Sequence, residues 1–391
     1  MPPGSPPAPG VAKRRELPTA WRHFDPILML AVLAIGAFGC LMVYTATRDQ
    51  LEIAGLSPLY YVKKQAIFMV LGVGVMVVVS AIDYRRYRDW AAVIYGLSIL
   101  MLLGVYVVGH KSRGAQAWFQ VGSYQLEPSE IAKIGLIVAL ASYCATAKGS
   151  LSRRNLVVVL GLSALPFVLI YKQPDLGTAL VLGAVLVAVL VVGGISARHM
   201  GLLALLAVVA SVGVVHFGIL KSYQQARLTS FASAPDQPSA ALLQSVAGAN
   251  EYNVAESKIT IGAGGLTGRG IGKGTQTNLS YVPEQRTDFI FTAVGEQVGL
   301  VGSALLLLLF AVVIWRTWRA ATLSRDLLGT LMSVGVLAMV AFQVFENVGM
   351  TMGIMPVAGI PLPLMSYGGS AVIATFAAVG LVQNVRMHRF S

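Results

Sequence analysis

Ten long apolar stretches constrain this chain more than any other feature of its sequence. Each runs for about 20 residues, the length that an α-helix needs to cross the hydrocarbon core of a bilayer. The chain is 56% hydrophobic and only 12% charged, whereas a soluble domain carries about 25% charged residues. The sequence therefore predicts an all-α integral membrane protein, a polytopic bundle of about ten transmembrane helices. The predicted spans are 27–46, 65–82, 91–109, 129–147, 155–172, 178–195, 200–219, 290–314, 328–350 and 366–385.

The distribution of Lys and Arg predicts the orientation of this bundle. Cytoplasmic segments of membrane proteins carry an excess of both residues. With the N-terminus inside, most basic residues of the short connections fall in the inside segments. Both termini are then cytoplasmic, and the net charge of +12 is explained without nucleic-acid binding. Residues 1–25, which are rich in Pro and Gly and then basic, are expected to form a disordered cytoplasmic tail ahead of a membrane domain over 26–391.

One long polar segment, 221–289, separates the seventh and eighth spans and is predicted to be a large extracytoplasmic loop. Loops of this length are usually disordered or functional. A glycine cluster over 262–274 fits neither the dinucleotide-binding nor the P-loop pattern. Because glycine tolerates unusual backbone angles, the cluster is either a flexible, tightly turning segment or a close backbone approach to a bulky ligand.

The C-terminal edge of this loop carries the first candidate catalytic group, Asp288. It lies at the mouth of the eighth span, where partial desolvation raises a carboxyl pKa toward the range that a general base needs. The alternative is an interfacial charge that pairs with Arg286. Position alone does not decide between the two.

Three further charges and one aromatic residue lie near the same predicted face. Glu130 and Lys133 enter the fourth span three residues apart and share a helix face, either as a structural ion pair or as functional charges. Asp175 lies in an outer turn after a proline, where it is ordinary turn chemistry or part of a site. Trp118 is an interfacial aromatic residue or a ligand contact. Together these groups fit a transporter, or an enzyme that acts on an anionic, lipid-linked substrate.

The motifs collected along the chain resemble the SEDS family (shape, elongation, division and sporulation), and most closely its RodA-like elongation branch. The resemblance extends from about residue 25 to the C-terminus. The matching segments are Gly114-Ala-Gln-Ala-Trp118, Pro128-Ser-Glu-Ile-Ala-Lys133, Gln173-Pro-Asp-Leu-Gly-Thr-Ala-Leu180, Gly274-Thr-Gln276, Pro283-Glu-Gln-Arg-Thr-Asp-Phe-Ile-Phe291 and Gly359-Ile-Pro-Leu-Pro-Leu-Met-Ser-Tyr-Gly-Gly-Ser370. The long N-terminus and the sequence around 234–239 depart from the family pattern.

The resemblance implies a peptidoglycan glycosyltransferase that polymerises lipid II at the outer face of the bacterial cytoplasmic membrane. On this basis Asp288 is the expected general base of an inverting displacement of undecaprenyl pyrophosphate. A divalent cation (Mg²⁺ or Mn²⁺) or nearby basic residues would stabilise the leaving group. The expected partners are a class B penicillin-binding protein and the elongation machinery. The residues expected to support the substrate cavity are Glu130, Lys133, Asp175, Trp118, Arg286, Lys273, Arg269 and Gln276.

Three alternatives use the same residues. A lipid II flippase would carry the head group across the membrane without making polymer. A non-catalytic scaffold would only recruit the transpeptidase. An FtsW-type member of the same family would polymerise glycan during division instead of elongation.

Overall fold

The computed structural model describes residues 23–112, 115–147, 152–216 and 246–389, and the fold is built mainly of α-helices. The helices are α1 (Pro26–Ile53), α2 (Tyr60–Ala81), α3 (Tyr84–Val108), α4 (Pro128–Thr146), α5 (Arg153–Lys172), α6 (Leu176–Val192), α7 (Ala197–His216), α8 (Val246–Gly264), α9 (Thr275–Asn278), α10 (Ile290–Thr322), α11 (Leu327–Thr351) and α12 (Gly369–Met387).

All ten predicted apolar segments overlap with helices, which confirms an all-α polytopic membrane protein. Eight helices in the described part of the chain are long and apolar enough to cross a bilayer, namely α1–α5 and α10–α12. The segments Leu176–Val192 and Ala197–Leu206 are apolar but shorter. The bundle is layered, because α4, α11 and α12 are 67–83% buried over their apolar windows whereas α2, α3 and α5 are 28% buried. The outer helices α2, α3 and α5 therefore shield the side chains of the central helices α4, α11 and α12.

A small antiparallel sheet that hydropathy did not predict connects α3 to α4. Its strands are β1 (His110–Ser112), β2 (Ala115–Val121) and β3 (Tyr124–Leu126), with β2 in the middle. Trp118 on β2 pairs with His110 on β1. Strands this short carry too few residues for a clear alternating pattern, so only the fold reveals them. The sheet positions Trp118 close to the start of α4.

Residues 23–25, predicted to be the end of a disordered tail, belong to the folded bundle; the rest of that tail lies outside the described residues. Asp25 is fully buried and caps α1 by accepting from the Leu28 N–H at 3.2 Å. Its carboxylate also receives two hydrogen bonds from the Arg316 guanidinium, each 2.7 Å long, and it pairs with Arg386. The prediction was wrong here because the partners of Asp25 lie near the ends of α10 and α12, far away in sequence.

Residues 246–289 form ordered structure that packs on the bundle instead of a purely irregular loop. Helix α8 buries Val254, Ala255 and Ser257, and the Ser257 hydroxyl donates to the Thr351 carbonyl oxygen at 2.6 Å. The C-terminal part of the predicted loop is therefore attached to the end of α11. Residues 217–245 of that loop lie outside the described residues.

The glycine cluster closes a break in α10, and this corrects the interpretation of a flexible segment. Gly299 interrupts the helix with φ 65° and ψ −165°, which leaves local backbone groups without helical partners. The N–H groups of Leu300 and Val301 instead donate to the carbonyl oxygens of Gly265 and Leu266, at 2.9 and 3.0 Å. A Cβ added at Gly268 would lie 2.2 Å from the Gln297 carbonyl oxygen. Glycine is thus required for close packing of two backbones.

Candidate active site

Asp288 lies directly before α10, in a tight turn over residues 283–289. The N–H groups of Thr287 and Phe289 both donate to the Glu284 carbonyl oxygen, at 3.0 and 3.3 Å. Asp288 is partly exposed. Its main-chain carbonyl oxygen accepts a hydrogen bond from Asn347 Nδ2 at 2.7 Å. The turn therefore holds a partly exposed acidic residue on a well-bonded backbone.

The segment between α11 and α12, residues 352–368, holds this turn in place and is called the bracing segment below. The Tyr367 N–H donates to the Arg286 carbonyl oxygen at 2.8 Å, and the Ser366 hydroxyl donates to the Thr287 carbonyl oxygen. Two of the sequence motifs, 283–291 and 359–370, are thus parts of one hydrogen-bonded unit. The end of the bundle that contains them is called the Asp288 end below, and the opposite end, where Asp25 lies, the Asp25 end.

Arg286 is held over an aromatic pair. Its guanidinium carbon lies 4.5 Å from the centre of the Tyr61 ring, and Tyr61 packs edge-on against Tyr367 with ring centres 5.0 Å apart. Burial raises the pKa of Tyr367 to about 12, so its phenol stays neutral at physiological pH. Within the described residues, Arg286 Nε has no hydrogen-bond partner. The guanidinium is thus fixed against Tyr61 with its Nε buried.

A cavity of about 290 Å³ lies beside Arg286, between the C-terminal part of α1 and residues 280–286. Most of the side chains around it are polar. They are Ala46, Thr47, Gln50, Ser280, Val282, Pro283, Glu284, Gln285 and Arg286. Helix α1 contributes to this space, which the sequence motifs did not indicate.

A second cluster forms at the start of α4, around Glu127. The Trp118 indole N–H donates to Glu127 Oε2 at 3.2 Å, and the Ser129 hydroxyl donates to Oε1 at 2.9 Å. The Glu127 main-chain N–H donates to the Ser370 hydroxyl oxygen at 2.8 Å. Glu127 therefore joins Trp118 to the beginning of α12.

The environment of Glu127 favours its neutral form. Burial is the main cause, and the neighbouring carboxylates of Asp175 and Glu130 add to it, so the pKa of Glu127 is raised to about 8. At neutral pH most molecules therefore carry a proton on this carboxyl group. Glu127 was not among the predicted site residues, although it stands immediately before Pro128 and three residues before Glu130. That spacing was the available signal.

Glu130 and Lys133 form a buried ion pair on the first turns of α4. Lys133 Nζ lies 2.7 Å from Glu130 Oε1. The two residues are only 3% and 1% exposed. A negative charge in the first turn of a helix is also favoured by the helix dipole. The pair is part of the protein interior, and neither head group lies on the surface.

Asp175 caps α6 and lies against the same bracing segment. Its Oδ1 accepts from the Thr178 N–H at 2.9 Å, while its buried Oδ2 has no hydrogen-bond partner within the described residues. Two residues later, a Cβ added at Gly177 would lie 2.7 Å from the Ala358 carbonyl oxygen. The start of α6 is thus in close contact with the segment that holds Asp288.

Three of the predicted supporting residues lie in the glycine-rich segment beside Glu296, namely Gln276, Arg269 and Lys273. Glu296 is fully buried and accepts from the main-chain N–H groups of Gln276 and Thr277, each at 2.8 Å. It therefore caps the short helix α9. Arg269 and Lys273 are exposed on the glycine-rich turn, and Arg269 Nε donates to the Ala263 carbonyl oxygen near the end of α8 at 2.8 Å. This capping role explains why a carboxylate side chain is buried at position 296.

The described residues contain no group of three or more His, Cys, Asp or Glu side chains placed to hold a metal ion. Two of the cations at the Asp288 end are Arg286, which lies beside the cavity, and Lys133, which is paired with Glu130.

Comparisons with known proteins match almost the whole chain. The model of the cell cycle protein family that groups FtsW, RodA and SpoVE matches residues 26–390. A curated relative, the peptidoglycan glycosyltransferase MrdB of Escherichia coli K12, is 34% identical over 367 residues, which is 94% of each chain.

Solved structures show the same architecture. A chain of a peptidoglycan synthase complex, described as coordinating polymerization and crosslinking, matches with a TM-score of 0.76 and 31% identity, over 94% of this chain and 99% of that one. The crystal structure of the rod shape determining protein RodA from Thermus thermophilus matches with a TM-score of 0.69 and 30% identity, over 95% and 99% of the two chains.

Proposed function

The chain belongs to the FtsW, RodA and SpoVE family, whose members include peptidoglycan glycosyltransferases, and from this premise we propose that Asp288 is the general base of glycan polymerisation. The observation that carries the assignment is the braced turn over 283–289. It places the partly exposed Asp288 two residues from Arg286, which lines a polar cavity. A base must be preorganised and accessible at once, and Asp288 is both.

The polymerisation is an inverting transfer between two lipid-linked saccharides. The acceptor GlcNAc 4-hydroxyl loses its proton to the Asp288 carboxylate and attacks C1 of the donor MurNAc. The C1–O bond to the pyrophosphate breaks as the new β-1,4 bond forms, and undecaprenyl pyrophosphate leaves with the electron pair. One in-line step accounts for the inversion.

Arg286 is the proposed stabiliser of the departing pyrophosphate. Its guanidinium is oriented by Tyr61 and lines the cavity beside the turn. Charge that develops in a transition state is best stabilised by fixed donors of this kind. Lys273 and Arg269 are exposed on the neighbouring turn and would attract the anionic substrate at longer range. A divalent cation that accompanies the pyrophosphate would supply the same stabilisation and would need only one or two carboxylates from the protein.

We also propose a partner protein and a membrane location for this chain. The relative solved within a synthase complex that coordinates polymerization and crosslinking supports a class B penicillin-binding protein as the partner of this chain. We place the chain in the bacterial cytoplasmic membrane with both termini in the cytoplasm, from the Lys and Arg distribution. The similarity to MrdB and RodA favours a role in elongation over division.

The test is polymerisation of lipid II by the purified protein together with its partner. Asp288→Asn should reduce glycan formation by at least about 100-fold, the range typical of a missing general base. Asp83→Asn is the matched control, because Asp83 caps α3 at the Asp25 end, where it accepts from the Arg85 N–H at 3.0 Å. A folded Asp288→Asn variant that polymerises at a near-normal rate removes Asp288 from the mechanism. Movement of labelled lipid II between leaflets without polymer would favour the flippase instead.

A further inference from the structure

Asn347, on α11, connects two chain segments at the Asp288 end. It is fully buried. Its Nδ2 donates to the main-chain carbonyl oxygen of Asp288 at 2.7 Å and to that of Ile360 at 2.8 Å. A primary amide has two N–H bonds, and both are used here. Within the described residues its Oδ1 has no hydrogen-bond partner, so the side chain acts only as a double donor.

The first of these bonds acts on the candidate base itself. The carbonyl group of Asp288 and its carboxylate-bearing side chain share one Cα. Fixing the direction of the carbonyl group therefore limits rotation of the peptide plane that follows Asp288, and with it the direction of the side chain. Rotation at this point would also disturb the start of α10, because Phe289 is its N-cap residue.

The second bond connects this constraint to the rest of the site. Ile360 lies in the bracing segment, and its side chain contacts the position of Gly177 at the start of α6, where an added Cβ would lie 2.5 Å away. Asp175 caps the same helix. One buried amide therefore sets the spacing between the Asp288 turn and the segment that packs against α6.

We propose that Asn347 is a positioning residue for glycan polymerisation, which orients the Asp288 carboxylate through its main-chain carbonyl group. The inference rests on the proposed function, since it requires Asp288 to be the base. Catalysis depends steeply on such placement, and a displacement of about 1 Å costs roughly 100-fold in rate. Asn347 touches no reacting atom, so its loss reduces kcat and leaves KM for lipid II largely unchanged.

The chain offers a matched control in Asn384. This buried asparagine also donates through Nδ2 to two carbonyl oxygens, those of Val79 and Ile82, and unlike Asn347 it accepts through Oδ1, from the Tyr84 N–H at 2.9 Å. It ties α12 to the end of α2 at the Asp25 end, far from the turn. Asn384→Ala therefore removes the same kind of double donor from the same kind of helix junction without acting on Asp288.

The experiment compares Asn347→Ala, Asn347→Ser and Asn384→Ala by thermal unfolding and by steady-state polymerisation of lipid II with the partner. We expect both alanine variants to lower Tm. Only the Asn347 variants should lower kcat, by about 10- to 100-fold for alanine and less for serine, with KM within about twofold. The serine variant keeps one donor and leaves a smaller void, so it yields folded protein if the alanine variant does not.

Two outcomes overturn the inference. One is a folded Asn347 variant whose kcat stays within about twofold of wild type, and the other is an equal loss of kcat in Asn384→Ala at a matched Tm. The double variant Asp288→Asn with Asn347→Ala separates this inference from the proposed function. If Asn347 acts through Asp288, the double variant is no slower than Asp288→Asn alone. A normal rate for Asp288→Asn alone would instead reject the base assignment itself.

Discussion

The buried pair of Glu130 and Lys133 allows a sharp test of whether these charges support the fold or the chemistry. Their head groups lie 2.7 Å apart, and at an effective dielectric constant of about 20 this separation corresponds to about 6 kcal/mol of attraction. Desolvation of the two charges offsets most of that gain. A residue that is only 1% exposed, as Lys133 is, has no surface on which to bind substrate. We therefore expect the pair to be structural.

The perturbation is a double-mutant cycle of Lys133→Met, Glu130→Leu and both together. Each single change leaves a buried charge without its partner and should lower the free energy of unfolding by about 3–5 kcal/mol. The double variant replaces both charges with apolar groups and should recover most of that loss. The coupling energy, which is the sum of the two single losses minus the loss in the double variant, is then about 5 kcal/mol or more.

Stability is measured by titration with sodium dodecyl sulfate in mixed micelles, and activity by polymerisation of lipid II with the partner. If the pair is structural, the double variant regains polymerisation to within about tenfold of wild type. A double variant that is as stable as wild type yet polymerises more than about 100-fold slower would refute this reasoning. It would show that one of the charges takes part in the reaction.

Three further predictions concern stability. Asp25→Asn should lower the free energy of unfolding by about 3–5 kcal/mol, because it leaves buried guanidinium groups unpaired. Asp49→Asn, which affects a more exposed ion pair, should change that free energy by less than about 1 kcal/mol. Equal effects of the two substitutions in chemical unfolding would contradict this prediction. Gly268→Ala should lower the free energy of unfolding by about 1–3 kcal/mol, because of the backbone clash and the φ of 81°. Gly262→Ala is the control and should be tolerated, because the space around its Cβ position is open. Similar Tm values for the two variants would argue against tight packing of the turn. The pKa of Glu127 is raised to about 8 from 4.5, so between these pH values the folded state holds a proton that the unfolded state releases. The free energy of unfolding therefore falls as pH rises from about 4.5 to 8. Glu127→Gln should flatten this part of the profile of Tm against pH, and identical profiles for the variant and the wild type would disprove the pKa shift.

Local sequence properties predicted the architecture well. An apolar run of about 20 residues has essentially one stable form in a bilayer, because only a helix pairs all of its backbone groups within the run. The motif containing Asp288 was also visible in the sequence, as was the three-residue spacing of Glu130 and Lys133, which the structure confirms as an ion pair. These features depend on neighbouring residues, so they can be read without knowledge of the fold.

The chemical partners of these residues could not be predicted in the same way. Asp25 looked like the end of a tail because Arg316 and Arg386 are 291 and 361 residues away in the chain. Asn347 lies within an apolar span and belongs to none of the sequence motifs, and its two acceptors come from separate segments. Long-range pairs of this kind follow from how the helices pack, which hydropathy does not encode.

The sequence by itself determined that this chain is a helical membrane protein of the FtsW, RodA and SpoVE family and that it carries an acidic motif at 283–291. Only the tertiary structure decided that the glycine cluster closes a break in α10 and that two distant motifs hold the Asp288 turn together. The physical reason is that bilayer insertion depends on the local sum of apolar side chains. The placement of a carboxylate depends instead on hydrogen bonds to backbone groups from several helices, and these form only when the helices are packed.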